Sequence, residues 1–531
     1  MLGSPTLFIE VASLCERLKE TISRKEKTHL ISDFLLKLEG REVAPSVLLI
    51  VGQVFPESEK KVMKVGFATI SKVMKGVKQS VLLEKPLTIL SVHDFLNKIA
   101  TVTGPGSRQR RESLLESLFS QAQPKEAKWI LKIIFGEMQH GVSEGLMLEA
   151  VAEAGRVDAD LVRRTYALTG DIGGVAEIAL NMGERGLSKI GIQLFRPFKP
   201  MLAEMSYDLG DVLEEHGGVT ALEYKFDGAR VQIHKKGEKV SIFSRRLSNV
   251  TDSLPEIVEL TKKEVRAKDV IVDGEVVATG KNGRPLPFQD LMRRFKRMHL
   301  VKELVKEIPL KLHLFDILYL DKRSLIDAPY RERREKLSGV CDDVYLARRI
   351  VTRSLREAED FLRESLKEGH EGVVAKNLGS PYTPGRRRKM WFKIKPMEFL
   401  DLVILAADWG YGRRTGWLSD YYLAALDDKT GEYMVVGKTF KGLTDEEFKE
   451  ITRKLLELKV SESEHTVYVK PKIVVEVAFN EVQRSPRYKS GFALRFARIA
   501  RIRDDKAPED VDSIERVRRL YNRQFLYKSK L

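Results

Sequence analysis

The chain has 531 residues, of which 43% are hydrophobic and 32% charged, a balance typical of a soluble globular protein and not of a disordered one. Since single hydrophobic cores stop growing near ~250–300 residues, we expect roughly three or four domains. The 92 Lys and Arg against 76 Asp and Glu leave a formal charge of +16, which favours a polyanionic partner such as nucleic acid. On charge alone, a basic protein without such a partner is equally open.

The cysteine content and the N-terminus exclude several classes of protein. Cys15 and Cys341 are too few for a disulfide framework or a zinc site of four thiolates. The N-terminal segment interrupts its apolar positions with Glu10, Glu16 and Arg17, unlike a signal peptide, and no stretch reaches the ~18 apolar residues of a membrane span. We therefore expect no membrane association and a location in the cytoplasm, or in a nucleus if the source has one.

The first third of the chain has a helical pattern. Between residues 6 and 185, apolar residues recur at helical spacing, as at Phe8, Val11 and Leu14, which predicts an all-α first domain over residues 1–190. Gly and Pro predict a loop at GPGSRQRRES, Gly104–Ser113. This loop is a candidate phosphate contact, although a solvated turn is an equally good interpretation. Its candidate residues are Arg108 and Arg110.

The rest of the chain changes its pattern twice. The segment Gly186–Glu204 contains two prolines and connects to a second domain, predicted over residues 191–396. There, strand-like and helical segments alternate, which predicts an α+β domain, and KLHLFDILYL is expected to present Leu312, Leu314, Leu318 and Leu320 on one face. Short strands dominate after Asp401 and predict a small β-barrel of the OB type over residues 397–531.

The most informative segment is EYKFDGARVQIH, in which Glu223 precedes Lys225, and Asp227, Gly228 and Arg230 follow it. A lone KxDG proves little, so the motifs that follow it matter more. In chain order these are FSRR with Arg245, VDGE with Glu275, FD with Phe315, EGVVAK with Glu371 and Lys376, WFKIK with Lys393 and Lys395, and RFARIARIRDDK with Arg495, Arg498 and Lys506.

This ordered set resembles the covalent nucleotidyltransferase superfamily of ATP-dependent DNA ligases, RNA ligases and mRNA capping enzymes. The helical first third and PFQDLMRR, Pro287–Arg294, are similar to the archaeal and eukaryotic replicative DNA ligases, so the resemblance covers nearly the whole chain. It implies an enzyme that seals 5′-phosphate/3′-hydroxyl nicks in double-stranded DNA through lysyl-AMP and DNA-adenylate intermediates, in replication, repair and recombination. It further implies ATP and Mg²⁺ as cofactors, with Mn²⁺ as an alternative metal.

The chemistry explains the residue types. A lysine attacks the α-phosphate of ATP only as the neutral amine, so we expect nearby cations and partial desolvation to depress the pKa of Lys225. Phosphoryl transfer also requires carboxylates for the metal and bases for the phosphates. By resemblance, Asp227, Glu275 and Glu371 would hold metal, with Glu275 also on the ribose hydroxyls.

The resemblance also assigns the nucleotide contacts. Phe315 would stack on adenine and Glu223 would recognise the base edge. The phosphates would be neutralised by Arg230, Arg245, Lys376, Lys393 and Lys395, with Arg495 and Arg498 on the β and γ phosphates and Lys506 on pyrophosphate. Ala497 stands where the family pattern has Pro, which removes a constraint on φ.

Structural interpretations compete with several of these roles. Judged from the residues alone, Phe315 is a core aromatic of a strand, Lys393 and Lys395 are a solvated strand face, and Asp227 with Gly228 is an ordinary turn. The ordered motifs favour the functional interpretation in each case.

Two further segments are candidate DNA contacts. IFGEMQHGVSEG, from Ile134, resembles a family segment that approaches the minor groove, where Gly136 and Gly141 would permit close backbone approach. A capping loop without a ligand is the alternative. The loop GYGRRTGWLSD carries Arg413 and Arg414 on the predicted barrel and is interpreted as a nucleic-acid contact or as a flexible basic hairpin.

Three other functions compete with a DNA ligase. An RNA ligase or capping enzyme would share the active site but not the helical domain. A non-catalytic relative would have lost some of the motif residues. An NAD-dependent ligase needs a four-cysteine zinc module that two cysteines cannot build. We expect a monomer that encircles nicked DNA, a sliding clamp as a further partner although no convincing clamp-binding peptide is present, and, from the Lys, Arg and Glu content, a thermophilic source.

Overall fold

The structure is a computed structural model that describes residues 4–59, 61, 63–76, 86–206, 208–280, 282–296, 305 and 307–524. The parts of the helical and barrel predictions that fall on residues 77–85 and 525–531 lie outside this range. Among the described residues, no helix combines the length and the apolar character that crossing a membrane would require.

Helices make up the first part of the described chain and share one hydrophobic core, which includes Leu18, Val47, Leu96, Trp129 and Val175. The all-α prediction is therefore confirmed. The helices are α1 (Phe8–Glu20), α2 (Arg24–Leu35), α3 (Gly40–Val51), α4 (Phe67–Gly76), α5 (Ile89–Thr101), α6 (Ser107–Gln121), α7 (Pro124–Phe135), α8 (Glu144–Gly155), α9 (Ala159–Thr169) and α10 (Ile172–Leu187).

The predicted loop at Gly104–Ser113 is wrong over most of its length. Only the turn before α6 is irregular, with Gly104 and Gly106 at φ 81° and 72°, and the helix begins at Ser107. The Arg, Gln and Glu residues that follow are good helix formers, so the glycines and the proline break the chain only locally. Arg110 folds back to donate to the carbonyl of Thr103 (2.7 Å), and Arg108 pairs with Glu112 along the helix (3.1 Å).

Two five-stranded sheets form the central part of the chain, in the orders β1-β10-β9-β2-β8 and β4-β3-β5-β6-β7. The strands are β1 (Leu202–Ser206), β2 (Thr220–Lys225), β3 (Ala229–Lys236), β4 (Lys239–Ser244), β5 (Asp269–Ala278), β6 (Leu310–Leu320), β7 (Arg323–Ser324), β8 (Arg349–Thr352), β9 (Gly372–Lys376) and β10 (Arg387–Ile394). The accompanying helices are α11 (Leu209–Glu215), α12 (Pro255–Glu264), α13 (Phe288–Lys296), α14 (Tyr330–Val340) and α15 (Leu355–Lys367). The α+β prediction is confirmed.

The chain passes from the first sheet to the second through the three residues between β2 and β3. Lys225 ends β2, and Gly228 lies directly before β3. A Cβ atom on Gly228 would lie 2.4 Å from the carbonyl oxygen of Val276 and 2.8 Å from Cγ of Glu275. Since backbone cannot yield at that distance, the KxDG glycine is required for the two sheets to approach each other.

Strand β6 does not present the single leucine face that its sequence predicts. The pairing with β5 shifts register twice, skipping Phe315 and Leu318. Each irregularity reverses the alternation, so Leu312, Leu314 and Ile317 enter one core whereas Leu318 enters another. The prediction was wrong for Leu318 because period-two counting assumes a regular strand.

A seven-stranded sheet and a two-stranded hairpin form the C-terminal part. Strand β11 pairs with β12 on one side and with β15 and β16 on the other, so the sheet curves around a core that includes Leu402, Tyr421, Phe448 and Val477. The OB-type prediction is confirmed. The strands are β11 (Glu398–Trp409), β12 (Leu418–Leu426), β13 (Tyr433–Thr439), β14 (Lys459–Glu462), β15 (Thr466–Val469), β16 (Val474–Phe479), β17 (Glu481–Arg484), β18 (Phe492–Arg495) and β19 (Arg498–Ile502).

Two helices in this part were not predicted, α16 (Asp445–Glu457) and α17 (Ile514–Arg523). Thr444 and Glu447 form a capping box before α16, a signal that the sequence does carry. The predicted domain boundaries at residues 190 and 396 fall in the irregular segments that precede β1 and β11 and stay predictions.

Ion pairs join the helical part to the central part. Asp160 of α9 accepts hydrogen bonds from Arg386 (2.7 Å) and Arg388 (2.9 Å), at the start of β10. Lys199, in the connector, pairs with Glu57 (2.8 Å) and with Glu144 at the start of α8 (3.3 Å). These contacts place the beginning of β10 against the helices.

A buried ion pair fixes α14 to β6. Arg333 donates to Asp316 through Nε (2.7 Å) and Nη2 (3.0 Å), and both side chains are fully buried. Two parallel N–H···O bonds give this pair a fixed geometry, and either partner alone would be a buried, uncompensated charge.

We expect Arg333→Met to destabilise the central domain by about 3–5 kcal/mol, because Asp316 would then lose its only compensating charge in this contact. The matched control is Arg323→Met, which removes an exposed pair with Glu332 of the same helix (3.3 Å) and should cost less than about 1 kcal/mol. Thermal and urea unfolding followed by circular dichroism measure both. Equal losses of stability in the two variants would contradict the assignment.

Candidate active site

One carboxylate joins the two lysines at the centre of the predicted site. Lys225 Nζ lies 2.5 Å from Oε2 of Glu371, and Lys395 pairs with the same oxygen. The amide N–H of Glu371 also donates to the carbonyl of Lys225 (2.9 Å). The next residue, Gly372, has φ 142°, and a Cβ there would lie 2.1 Å from the carbonyl oxygen of Ile394. Glycine at this position therefore lets β9 pass close to Ile394, the residue before Lys395.

The electrostatic surroundings of Lys225 differ from the prediction. Burial, the largest influence, lowers its pKa, but the carboxylates of Glu371, Glu275 and Asp227 outweigh burial and raise the pKa above its ordinary value. The prediction that protein cations depress this pKa is therefore wrong. Lys395 and Arg230 are the nearest candidates for that role, and each is itself paired with a carboxylate.

The two glutamates have opposite protonation behaviour. Burial raises the pKa of Glu371, but Lys225 and Lys395 outweigh it and lower the pKa to about 2. Burial raises the pKa of Glu275 to about 7, against the lowering influence of Lys225 and Arg230. At neutral pH, Glu371 is thus an anion, whereas Glu275 is half-protonated and can donate a hydrogen bond.

Four cations predicted to react or to bind phosphate lie near one another, together with a fifth that was not predicted: Lys225, Arg245, Lys393 and Lys395, with Arg387. Burial lowers the pKa of Lys393, followed by the positive charges of Arg387, Lys225, Lys395 and Arg245. We call the set Arg245, Arg387, Lys393 and Lys395 the cation cluster. Arg387 lies six residues before Lys393 in β10, so the period of two would have placed both on the same face.

Arg230 has a different environment. It donates to Asp273 (2.7 Å), to the carbonyl of Met201 (2.7 Å) and to the hydroxyl oxygen of Tyr382 (3.0 Å), and Tyr382 donates to Asp273 (2.6 Å). Its guanidinium lies 5.3 Å from the ring centre of Phe315. Arg230 therefore joins β3 and β5 to the connector before β1 and packs over the ring of Phe315. No motif or period in the sequence points to Tyr382.

Glu223 lies in a buried cage of donors. Lys376 Nζ is 2.5 Å from its Oε2, the Tyr330 hydroxyl donates to Oε1 (2.5 Å), and Arg334 approaches Oε1 at 3.4 Å. Lys376 is 1% exposed, and its Nζ lies 4.7 Å from the ring centre of Phe315. The structure therefore pairs Lys376 with the predicted base-recognising glutamate and does not place it in the cation cluster. Tyr330 and Arg334 are α14 residues that the motif reading missed.

The carboxylates fit a metal that completes its coordination with other ligands. Among the described residues, no group of three or more His, Cys, Asp and Glu converges on a common point as a metal cage would. Mg²⁺ needs no such cage, because it binds through one or two carboxylates together with phosphates and water. The ionised Glu371 suits this role, whereas Glu275, with its raised pKa, suits a hydroxyl partner better.

The last motif lies partly near the site. Arg495, at the end of β18, pairs with Glu481, and the negative charge of Glu481 raises the pKa of Lys395 against the larger effect of burial. The β17–β18 hairpin is therefore close to the cation cluster. Arg498 begins β19, and Lys506 pairs with Asp401 (2.6 Å) inside the C-terminal domain.

The predicted DNA contacts of the helical domain lie in the α7–α8 loop. Gly136 ends α7 at φ 69°, as the capping interpretation expects, and Gly141 has φ 75°. A Cβ on Gly141 would lie 2.5 Å from Nζ of Lys27, which donates to the carbonyl of His140 (2.6 Å). The loop is thus held rigidly from inside with Gly136, Gln139 and Gly141 exposed, and its contact with DNA stays a prediction.

The barrel loop is more ordered than a flexible hairpin. Arg413 and Arg414 lie in a 3-10 turn, Gly412–Arg414. Arg414 donates to the carbonyl of Phe440 (2.8 Å), and its guanidinium lies 4.1 Å from the ring centre of Phe448, whereas Arg413 is 3.5 Å from Asp445. Arg414 is therefore partly occupied by packing, and Arg413 is the more available of the two.

Comparison with family models covers most of the chain. Residues 7–82 and 67–152 match the DNA ligase N terminus, residues 200–395 the ATP dependent DNA ligase domain, and residues 414–506 the ATP dependent DNA ligase C terminal region. A solved structure named Pmar-Lig_PreS3 shares the fold, with a TM-score of 0.57 and 18% identity over 93% of this chain and 99% of that chain.

Curated archaeal relatives match nearly the full length. DNA ligase 1 of Korarchaeum cryptofilum is 47% identical over 98% of this chain and 99% of its own length. The DNA ligase of Thermococcus fumicolans is 44% identical over 98% and 100%, and that of Archaeoglobus fulgidus is 42% identical over the same shares. With three consecutive domain matches and this identity, the chain belongs to the family of ATP-dependent DNA ligases.

Proposed function

We propose that this ATP-dependent DNA ligase works through covalent transfer of AMP to Lys225 and then to the 5′-phosphate of a nick in double-stranded DNA. The observation that supports it best is the position of Lys225 Nζ, 2.5 Å from Glu371 and next to the cation cluster. A nucleophile, an anionic group and several cations close together are what phosphoryl transfer needs, since positioning and charge neutralisation do most of its catalysis.

In the first step, Nζ of Lys225 attacks the α-phosphorus of ATP. A P–N bond forms, the bond from that phosphorus to the bridging oxygen breaks, and pyrophosphate leaves with the electron pair, next to Lys393, Lys395 and the other bases of the cation cluster. The amine must lose its proton to solvent water before attack, because the ammonium has no free electron pair. Mg²⁺, held by Glu371 and Asp227, would supply positive charge to the phosphates when bound.

In the second step, an oxygen of the 5′-phosphate attacks the AMP phosphorus, and the P–N bond breaks so that Lys225 leaves as an amine. In the third step, the 3′-hydroxyl attacks the activated 5′-phosphorus, AMP leaves and a phosphodiester bond remains. The raised pKa of Glu275, about 7, supports its proposed role of exchanging hydrogen bonds with ribose hydroxyls. Phe315 offers its ring to adenine, and Glu223 offers its carboxylate to the base edge.

The remaining assignments complete the proposal. Residues 1–190 bind DNA, residues 191–396 carry the chemistry and residues 397–531 close over the nucleotide, with Arg495 and Arg498 on its outer phosphates. Lys506 reaches pyrophosphate only if it leaves Asp401, which makes it the weakest of these assignments. DNA contacts are assigned to Arg108, Arg110, Gly136, Gly141, Arg413 and Arg414. We further propose a cytoplasmic monomer that uses a sliding clamp as a partner and accepts Mn²⁺ in place of Mg²⁺.

Lys225→Ala should abolish the AMP adduct that forms when the protein is mixed with ATP and Mg²⁺, since no other side chain would carry the nucleotide. Intact-protein mass spectrometry measures the adduct, and gel assays of a nicked duplex measure sealing. Lys236→Ala is the control, because Lys236 is exposed at the far end of β3 from Ala229. An adduct on Lys225→Ala, or none on the unsubstituted protein, would refute the mechanism.

Glu371→Gln should lower the pKa of Lys225, because it removes the carboxylate nearest to the ammonium. The pH dependence of Lys225 acylation by an amine-reactive reagent, read by peptide mass spectrometry without nucleotide, measures the shift. The amine should react at lower pH in this variant than in the unsubstituted protein. Glu364→Gln is the control: it removes an exposed partner of Arg348 and should leave the pH profile unchanged. An unchanged profile in Glu371→Gln would show that the pairing of Glu371 with Lys225 does not control the pKa.

Tyr330→Phe should reduce discrimination between ATP and GTP by about tenfold, because Glu223 would lose a buried donor that fixes its carboxylate. The expected change is in the KM for ATP, with little effect on the maximal rate of adduct formation. Tyr345→Phe is the control, since Tyr345 lies in the short 3-10 turn Asp343–Tyr345, outside the Glu223 cage. A loss of maximal rate with unchanged nucleotide preference would show that the hydroxyl serves another purpose.

A further inference from the structure

A cleft of about 440 Å³ opens beside the candidate active site. None of the residues to which a role in catalysis or in nucleotide binding was assigned lines it. Basic and imidazole side chains dominate its lining, with one acid: Arg284, Lys311, His313, Lys367, Glu368 and His370. This volume falls in the range of ligand-binding clefts, ~300–1,000 Å³.

The wall of the cleft is continuous with the reacting residues. Phe226, the residue after Lys225, stacks on His313 with ring centres 4.2 Å apart and planes at 7°. His370, the residue before Glu371, lies 4.9 Å from the same phenyl ring. A ligand in the cleft would therefore be one side chain away from Lys225 and from Glu371.

The second sheet adds a third connection. His313 on β6 is the direct register partner of Glu275 on β5. Directly opposed residues in a sheet have Cβ atoms only ~5 Å apart. The cleft therefore continues from the side of the site where Glu275 would hold ribose hydroxyls.

Three bases of the lining are without an ion pair in the described part of the chain. Arg284, Lys311 and Lys367 form no ion pair with any residue in the described ranges, although most acids nearby are paired. The one acid of the lining, Glu368, already pairs with Arg348 (2.9 Å) and accepts a hydrogen bond from Tyr224 (3.2 Å). Burial, followed by the positive charges of His370 and Lys311, lowers the pKa of His313 to about 4.

The shape and chemistry of the lining select a phosphate group over a base. Base recognition usually uses stacking on aromatic side chains, and the lining includes no Phe, Tyr or Trp among its described residues. In the proposed mechanism, the cation cluster already neutralises the outer phosphates of ATP. A phosphate of the DNA backbone is the remaining anion that must come close to Lys225.

We propose that this cleft binds a backbone phosphodiester group of the nicked DNA, next to the strand end that is joined. The inference rests on the proposed function, because it takes nicked DNA as the substrate. Arg284, Lys311 and Lys367 supply the charge, and His313 forms the floor that connects the bound strand to Phe226 and Lys225.

The test compares two triple variants of the full chain. Arg284→Gln, Lys311→Gln and Lys367→Gln together remove the charge of the cleft. The matched control combines Lys236→Gln, Lys322→Gln and Lys336→Gln, three exposed bases without ion pairs among the described residues. Lys322 follows β6 at the end opposite to Lys311, roughly 30 Å away.

Binding of a fluorescent nicked duplex with a 5′-hydroxyl, which cannot be sealed, is measured from 50 to 200 mM salt. Because each neutralised phosphate contributes about 0.9 to the slope of log K against log salt, the cleft variant, which loses one phosphate contact, should lose about 1 from that slope. Its affinity at low salt should fall at least tenfold relative to the control. AMP adduct formation with ATP alone should stay within twofold of the unsubstituted protein.

Equal DNA affinity and equal salt slope in the two triple variants would overturn the proposal. It would also be overturned if the cleft variant bound DNA normally but lost inhibition by added pyrophosphate, because the ligand would then be a free phosphate. Failure of the unsubstituted protein to form the AMP adduct would instead refute the lysyl-AMP mechanism, and the DNA comparison would still decide on the cleft.

Discussion

The active site depends on one carboxylate, that of Glu371, shared between Lys225 and Lys395. Buried lysines are costly unless a counter-charge compensates them, and here a single anion serves two. Glu371, Glu275 and Asp227 outweigh burial and raise the pKa of Lys225 above its ordinary value, which favours the ammonium form. Under the proposed function, a metal ion held by Glu371 would weaken this pairing and favour the neutral amine that attacks ATP.

Backbone geometry makes that sharing possible. Gly228 lets β3 pass against Val276, and Gly372 lets β9 pass against Ile394, so Lys225 and Glu371 approach from two strands at the junction of the sheets. No residue with a Cβ fits at either position without displacing backbone. The glycines of the motifs KxDG and EGVVAK are therefore steric requirements of the junction, and the charged residues beside them depend on it.

The sequence predicted the fold class of the helical, central and C-terminal parts and most of the residues around Lys225. It could do so because motif order and periodicity are properties of the linear chain. It did not predict what depends on contacts between distant segments. The direction of the Lys225 pKa shift was wrong, since the balance of Glu371, Glu275 and Asp227 against burial is set in three dimensions. Leu318 was placed on the wrong face because no sequence rule locates the irregularities of β6.

The site residues that were not predicted were missed for two different reasons. Arg387 lies an even number of residues before Lys393 in the same strand, so the period of two could have identified it. Tyr330, Arg334 and Tyr382 could not be identified in this way, because their partners Glu223 and Asp273 lie about a hundred residues away in the chain. Phe315 is compatible with both of its interpretations, as a core aromatic and as a residue that stacks on adenine. It is half-buried between two cores, and its ring contacts Arg230 and Lys376 of the site.

The contacts of Asp160 with Arg386 and Arg388 have a consequence for the response of the site to salt. The three side chains are partly exposed, and exposed ion pairs weaken as the ionic strength rises. The two arginines flank Arg387, so the contact between the helical part and β10 lies next to a base of the cation cluster. Under the proposed function, added salt would therefore loosen the packing of the helical part at the same place where it screens the charges that face the phosphates.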